Sequence, residues 1–257
     1  MTRLILPILI VIFCPMFVNA KPPAKEFYEI RIYQYTTPGQ EQTIDAYLQK
    51  ALLPALHNSK IKAGVFKPIA NDTAAAKKIY VIIAFKSPAQ AIEIFDKVSQ
   101  DKTALEAGKD YVNAAYDNPP YSRYERILLR AFPDHPVLSV PSLNGPKTDR
   151  VYELRSYEGP TEKKYRNKVE MFNAGGEVVL FNRLGFNAVF YADVIYGSRM
   201  PNLMYMTSFD NIDSRNEHWK AFGNDPEWKK LSGMDLYKNN VSHIDITLMH
   251  PTEYSDF

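Results

Sequence analysis

The chain of 257 residues contains one cysteine, Cys14, and that shortage removes several kinds of chemistry at once. Nothing downstream of the leader can form a disulfide, act as a thiolate nucleophile or complete a cysteine metal site, so stability must come from packing. An excess of one charge is missing too: 31 Lys and Arg stand against 29 Asp and Glu, which leaves no electrostatic footprint for nucleic acid or an anionic membrane. Glycine is sparse, at 11 residues, and none of it builds a phosphate-cradling loop; a G-x-S-x-G elbow and zinc-ligand spacings are absent as well. The one long apolar run, Leu4 to Phe17, falls short of the roughly 18–20 residues a membrane span needs and is interrupted by Pro7 and Pro15. With Arg3 before it and Val18-Asn19-Ala20 after it, the segment 1–20 reads as a secretory signal peptide. That reading predicts export to the periplasm or the medium, with no membrane attachment after cleavage.

What the chain does have is a repeat. Tyr28-Glu29-Ile30-Arg31-Ile32-Tyr33 returns as Tyr152-Glu153-Leu154-Arg155-Ser156-Tyr157, and Phe85, Phe95, Val98 and Asp101 find Phe209, Trp219, Phe222 and Asp225 at the same offset. Two copies of one small unit follow. In the first, Phe27 to Tyr35 alternates as a strand, and Ile44 to Leu56 runs at helical spacing with a bend or end expected near Pro54. Ala63–Ile69 and Lys78–Phe85 read as strands around an Asn71-Asp72-Thr73 turn, Ser87-Pro88 opens a helix to about Ala107, and Ser122–Arg130 closes the unit. The second copy repeats this order, with Gly175-Gly176 interrupting its first helix. The order β-α-β-β-α-β is that of a ferredoxin-like unit. The predicted fold is therefore α+β, with two tandem ferredoxin-like repeats whose antiparallel sheets pack face to face as an intramolecular barrel. The expected boundaries are repeat one at 21–131, a Pro-rich linker at 132–149, repeat two at 150–251 and a tail at 252–257.

Each sheet should have an oily face on its own helices and a mixed face turned to the other copy. The mixed face is expected to carry Glu29, Arg31, Tyr33, Glu153, Arg155 and Tyr157, with Arg123 and Glu125 beside the first triplet and His243 and Asp245 beside the second. Their paired charges either bind a ligand or only fix sheet register by neutralising each arginine with Glu125 or Asp245.

The triplet of repeat two, the Leu184-Gly185-Phe186 strand entry, and Ser214-Arg215 through Trp219, Phe222 and Asp225-Pro226-Glu227-Trp228 resemble the NIPSNAP family of the dimeric α+β barrel superfamily. The resemblance covers about residues 150–249, and repeat one departs from it with Lys102 and Thr103 in place of Pro226 and Glu227. It implies the tandem barrel fold but no settled reaction and no catalytic residues. Animal members are associated with mitochondria, a location that the secretory leader argues against.

The expected function is binding of a small, largely apolar molecule between the sheets, with Glu29, Arg31, Tyr33, Arg123, Glu125, Glu153, Arg155, Tyr157 and His243 around it. No metal and no cofactor are predicted. A cofactor-independent monooxygenase or isomerase is the alternative, with His243, Asp245, Arg155 and Tyr157 as catalytic candidates. Haem ligation by His57, against simple capping of its helix, is another, and a protein-interaction module using the outer helices a third. A homo-oligomer is compatible with all of them. Asn71-Asp72-Thr73 and Asn240-Val241-Ser242 match the glycosylation pattern, which matters only in a eukaryotic secretory route.

Overall fold

Period-two alternation makes Phe27–Tyr35 a strand, β1, and the chain then turns directly into a helix because Thr37 caps the Gln40 amide and Pro38 occupies the first turn. The structure is a computed structural model that describes residues 24–69 and 77–257. The expected signal peptide and the expected Asn71–Thr73 turn therefore lie outside the described residues. Helix α1 (Pro38–Tyr47) does not end at Pro54. A π turn over Leu48–Leu52, with the Leu53 amide on the Leu48 carbonyl, leads into α2 (Leu53–Asn58), so the missing proline donor falls where the ladder is already widened.

After β2 (Ala63–Pro68) and β3 (Lys77–Phe85) comes the second predicted helix, which Asp101 divides. Its backbone amide closes α3 (Pro88–Gln100) on the Val98 carbonyl and its carboxylate caps α4 (Lys102–Ala107), followed by α5 (Lys109–Val112) and β4 (Arg123–Ala131). The second half runs β5 (Val151–Glu158), α6 (Glu162–Phe172), α7 (Glu177–Arg183), β6 (Asn187–Tyr196), β7 (Asn202–Phe209), α8 (Ile212–Asn224), α9 (Pro226–Gly233) and β8 (His243–Pro251). Glycine is required between α6 and α7: a Cβ on Gly175 would meet the Met171 carbonyl oxygen at 2.5 Å, and Gly176 has φ +89°. Among the described residues no helix is long and apolar enough to cross a membrane.

Each half forms an antiparallel sheet of the same order, β4-β1-β3-β2 and β8-β5-β7-β6. The halves do not merely stack face to face as expected. They join through hydrogen-bonded edges, β2 with β8 and β4 with β6, into one closed eight-stranded barrel. The joints pair Phe66–Pro68 of β2 with β8 and Leu128–Ala131 of β4 with β6, edges that stacking alone would have left exposed.

The faces of β1 and β5 are the reverse of the expectation. Tyr28, Ile30 and Ile32 point into the barrel, while Tyr33, Val65, Ile79 and Val81 face outward under Ile44, Leu48 and Leu52 of the first helical layer. The Glu-Arg-Tyr triplets are outward as well. The assumption that the oilier face must meet the helices failed because a helix-borne aromatic covers each arginine: Arg31 lies 3.5 Å from the Phe95 ring centroid and Arg155 3.6 Å from that of Trp219. Met204 and Met206 point inward.

One end of the barrel is filled. Tyr28 packs on Phe190, and Phe66 packs on Tyr152 and on Phe257. Gly64 makes room for this, since a Cβ there would sit 2.6 Å from the Phe66 ring and 2.7 Å from that of Phe257. The segment 132–149 is not a free linker. It crosses this end with Leu138 and Leu143 against the interior cluster, the Ser139 amide on the Val189 carbonyl and the Leu138 amide on the Glu26 carboxylate.

Candidate functional site

The strand registers sort the barrel interior into layers whose polarity rises toward the other end. Tyr28, Leu129, Tyr152 and Met249 lie beside one another at the filled end; Ile30, Ile82, Ile127, Leu154 and Thr247 follow; Ile32, Tyr80, Glu125, Ser156, Met204 and Asp245 come last. This last layer opens into a cavity of about 420 Å³, inside the usual range of small-molecule sites, about 300–1,000 Å³. Its walls are Ile32, Tyr80, Ile127, Leu154 and Met204, with Lys78, Glu125, Arg199 and Asp245 at the mouth.

Three polar groups sit below the charged mouth. Burial pushes the Tyr80 phenol up, opposed by its hydrogen bond with Thr247 and by Arg199 and reinforced by Glu125, so at neutral pH it is a hydrogen-bond donor rather than a phenolate. Asn202, 2% exposed, pairs through its amide nitrogen with Ser156 Oγ at 2.9 Å, and its Oδ1 has no partner among the described residues. A buried amide left half satisfied is a place where a ligand donor would be welcome. At the mouth, Gln34 holds Glu125 at 2.6 Å, and Arg199 holds Asp245 and approaches Glu158 at 3.6 Å. Arg199 takes φ 66° in the turn after β6, a left-handed conformation rare outside glycine.

Of the residues singled out in the sequence, Glu125 and Asp245 line this cavity. His243 lies beside Asp245, 3.1 Å away and exposed, and is opposite Glu158 in the strand pair. Glu158, His243 and Asp245 bring their ligand atoms within 4.8 Å of one another, but Arg199 already serves two of the three, so a cation would have to displace it. Arg123 is exposed and donates to the Ser122 carbonyl. His57 neither caps its helix with its side chain nor turns to a cavity; its Nε2 meets the Asp256 carboxylate at 2.9 Å.

The remaining candidates belong to a separate network on the outer face. Glu29 takes Arg31 Nε at 2.5 Å and Arg126 at 2.5 Å, and Glu153 takes Arg155, Arg215 and the Trp219 indole. Each arginine is thus neutralised by the glutamate of its own triplet, not by Glu125 or Asp245 as expected, because residues two apart on a strand share a face while Glu125 lies opposite Ile32. Burial opposes the charge of Glu153, yet hydrogen bonds and attraction from Arg215, Arg155 and Trp219 hold its carboxyl below the ordinary value. Tyr157 meets Arg155 at 3.2 Å and Tyr205 at 2.9 Å.

Tyr80, Ser156, Arg199, Asn202 and Thr247 escaped the sequence reading. Ser156 and Thr247 carried a usable signal, as small hydroxyl residues at inward positions of otherwise apolar strands; Arg199, in a turn, carried none.

Residues 152–256 match the NIPSNAP family. Over nearly the whole length, the fold is similar to that of a presumed monooxygenase from Lactobacillus acidophilus, with TM-score 0.58 and 10% identity, covering 88% of this chain and 94% of the other. A second presumed monooxygenase, from Fusobacterium nucleatum, gives TM-score 0.55 at 8% identity over 89% and 93%. An anthrone oxidase-like protein gives 0.53 at 10% identity over 89% and 92%. At these identities the likeness is one of fold. No curated protein matches the chain.

Proposed function

We propose that this chain, two ferredoxin-like units of which the second is a NIPSNAP domain, binds a small and largely apolar organic molecule in the open end of its barrel. The observation that carries this reading is the cavity of about 420 Å³ in a barrel whose opposite end is packed solid. Ile32, Ile127, Leu154 and Met204 would take the apolar body, and Tyr80, Ser156 and Asn202 would fix one polar end by hydrogen bonds. The charged mouth would screen the site from larger apolar partners. The leader fits a protein that does this outside the cytoplasm.

A second reading is a cofactor-independent monooxygenase acting on an electron-rich aromatic. It is favoured by the shared fold and by the neutral donor Tyr80, which suits a developing oxyanion in an apolar enclosure. Of the catalytic candidates, Asp245 lines the cavity at its mouth with His243 beside it, whereas Arg155 and Tyr157 lie on the outer face and do not reach a molecule within it.

One experiment addresses both readings. Anthrone, a neutral three-ring ketone, is offered to the wild type and to Leu154→Trp, with binding followed by equilibrium dialysis and oxygen uptake by electrode. Saturable binding that falls at least tenfold in Leu154→Trp supports the binding site, and uptake lost in the same variant supports the oxygenase. Binding that is undiminished in a folded Leu154→Trp variant would sink the cavity as the site.

A further inference from the structure

The two halves differ at one matched place on their outer faces. In the second half, the groove between the helices and the strand bearing Arg155 is filled: Trp228 lies 4.4 Å from Phe222, which stacks on Phe181 at 4.8 Å. The first half puts Val98 and Ala104 at the matching positions, 124 residues earlier. The match is structural as well as numerical, because Asp101 and Asp225 cap the following helix in the same way, and Ala104 and Trp228 are each the third residue after the cap. Loss of two large aromatics leaves a cavity of about 320 Å³, open to solvent, between α3, α4 and the outer face of β1 and β4.

Its electrostatics differ from those of the filled copy as well. Arg31, 6% exposed, forms part of the wall with its guanidinium flat on Phe95. Burial works against its charge, but Tyr33, Glu29 and Tyr124 more than restore it. The second arginine on the shared glutamate comes from α8 in the second half, as Arg215, and from β4 in the first, as Arg126, where the strand register of the other half puts Ile246. Arg126 therefore stands in the groove wall beside Arg31. Two guanidinium groups share the single carboxylate of Glu29, so the groove holds one positive charge in excess. The rest of the lining is chiefly apolar or aromatic, including Tyr47, whose phenol burial pushes up to about 12 and so keeps neutral.

We infer that this groove is a second binding site, separate from the barrel cavity, for a monoanionic amphiphile: an aromatic or alkyl carboxylate whose charged end meets Arg31 and Arg126 and whose body occupies the space taken by Phe222 and Trp228 in the other half. A single excess charge selects a carboxylate over a phosphate dianion, and the planar guanidinium suits a carboxylate's two oxygens.

The test compares 1-naphthoate with neutral 1-naphthalenemethanol by isothermal titration. Naphthoate should bind the wild type at least tenfold more tightly than the alcohol. Arg126→Gln, an exposed substitution that leaves Glu29 paired with Arg31, should remove most of that preference. Ala104→Trp should abolish binding, and Leu154→Trp, which fills the barrel cavity, should leave it unchanged. Equal affinity for acid and alcohol, no naphthoate binding, naphthoate binding that persists in Ala104→Trp, or loss only in Leu154→Trp would each overturn the inference. This outcome is independent of whether the barrel binds anthrone.

Discussion

Glu153 is fully buried, yet Arg155, Arg215 and Trp219 leave it no unmet hydrogen-bonding need. Removing its charge strands two arginines, one of them nearly buried, and breaking a buried pair from one side costs about 3–5 kcal/mol. Glu153→Gln is expected to lose stability of that order in urea unfolding, while His243→Ala, at an exposed pair, should change it by less than about 1 kcal/mol. The sign with pH follows from the lowered pKa. The carboxylate's contribution is present above its unfolded value, near 4.5, and is lost as pH falls through the lower folded value. Acid titration of stability should therefore be shallower in Glu153→Gln than in the wild type below pH 4.5. A steeper or unchanged acid slope would show that the network is not what holds the charge.

At the scale of elements, the segments read as connectors turn out to be structural. The tail 252–257 returns along β2: the Thr252 amide reaches the Val65 carbonyl, Ser255 Oγ accepts from the Val65 amide, and Asp256 accepts from the Ala63 amide and meets His57. Phe257 then enters the barrel at 4% exposure. Phe257→Ala is expected to cost about 3–5 kcal/mol, as for other buried phenylalanines, measured as a lowered denaturation midpoint at unchanged slope. A cost below about 1 kcal/mol would mean the filled end does not depend on this plug. The strand and helix order was legible because period-two and helical spacing, with Thr37-Pro38, Ser87-Pro88 and Asp225-Pro226 as starts, are local signals. Which face of each strand turned inward was not. Both faces of β1 are buried, and only the long-range meeting of Arg31 with Phe95, and of Arg155 with Trp219, decides between them. Glu125 and Asp245 line the cavity, but their neighbours depended on register, which alternation leaves open.

The molecule as a whole uses one duplicated plan asymmetrically. The barrel is filled at one end and open at the other, and one outer groove is packed with aromatics where its twin is vacant. Closure by β2–β8 and β4–β6 makes the interior a single enclosure, so the open end is where its contents can exchange. Native mass spectrometry of protein purified without detergent tests this most directly, by comparing the wild type with Leu154→Trp and Ala104→Trp. The account expects an adduct acquired from added anthrone on the wild type and on Ala104→Trp, and none on Leu154→Trp. No anthrone adduct on any of the three, or an anthrone adduct that survives filling of the barrel, would contradict it.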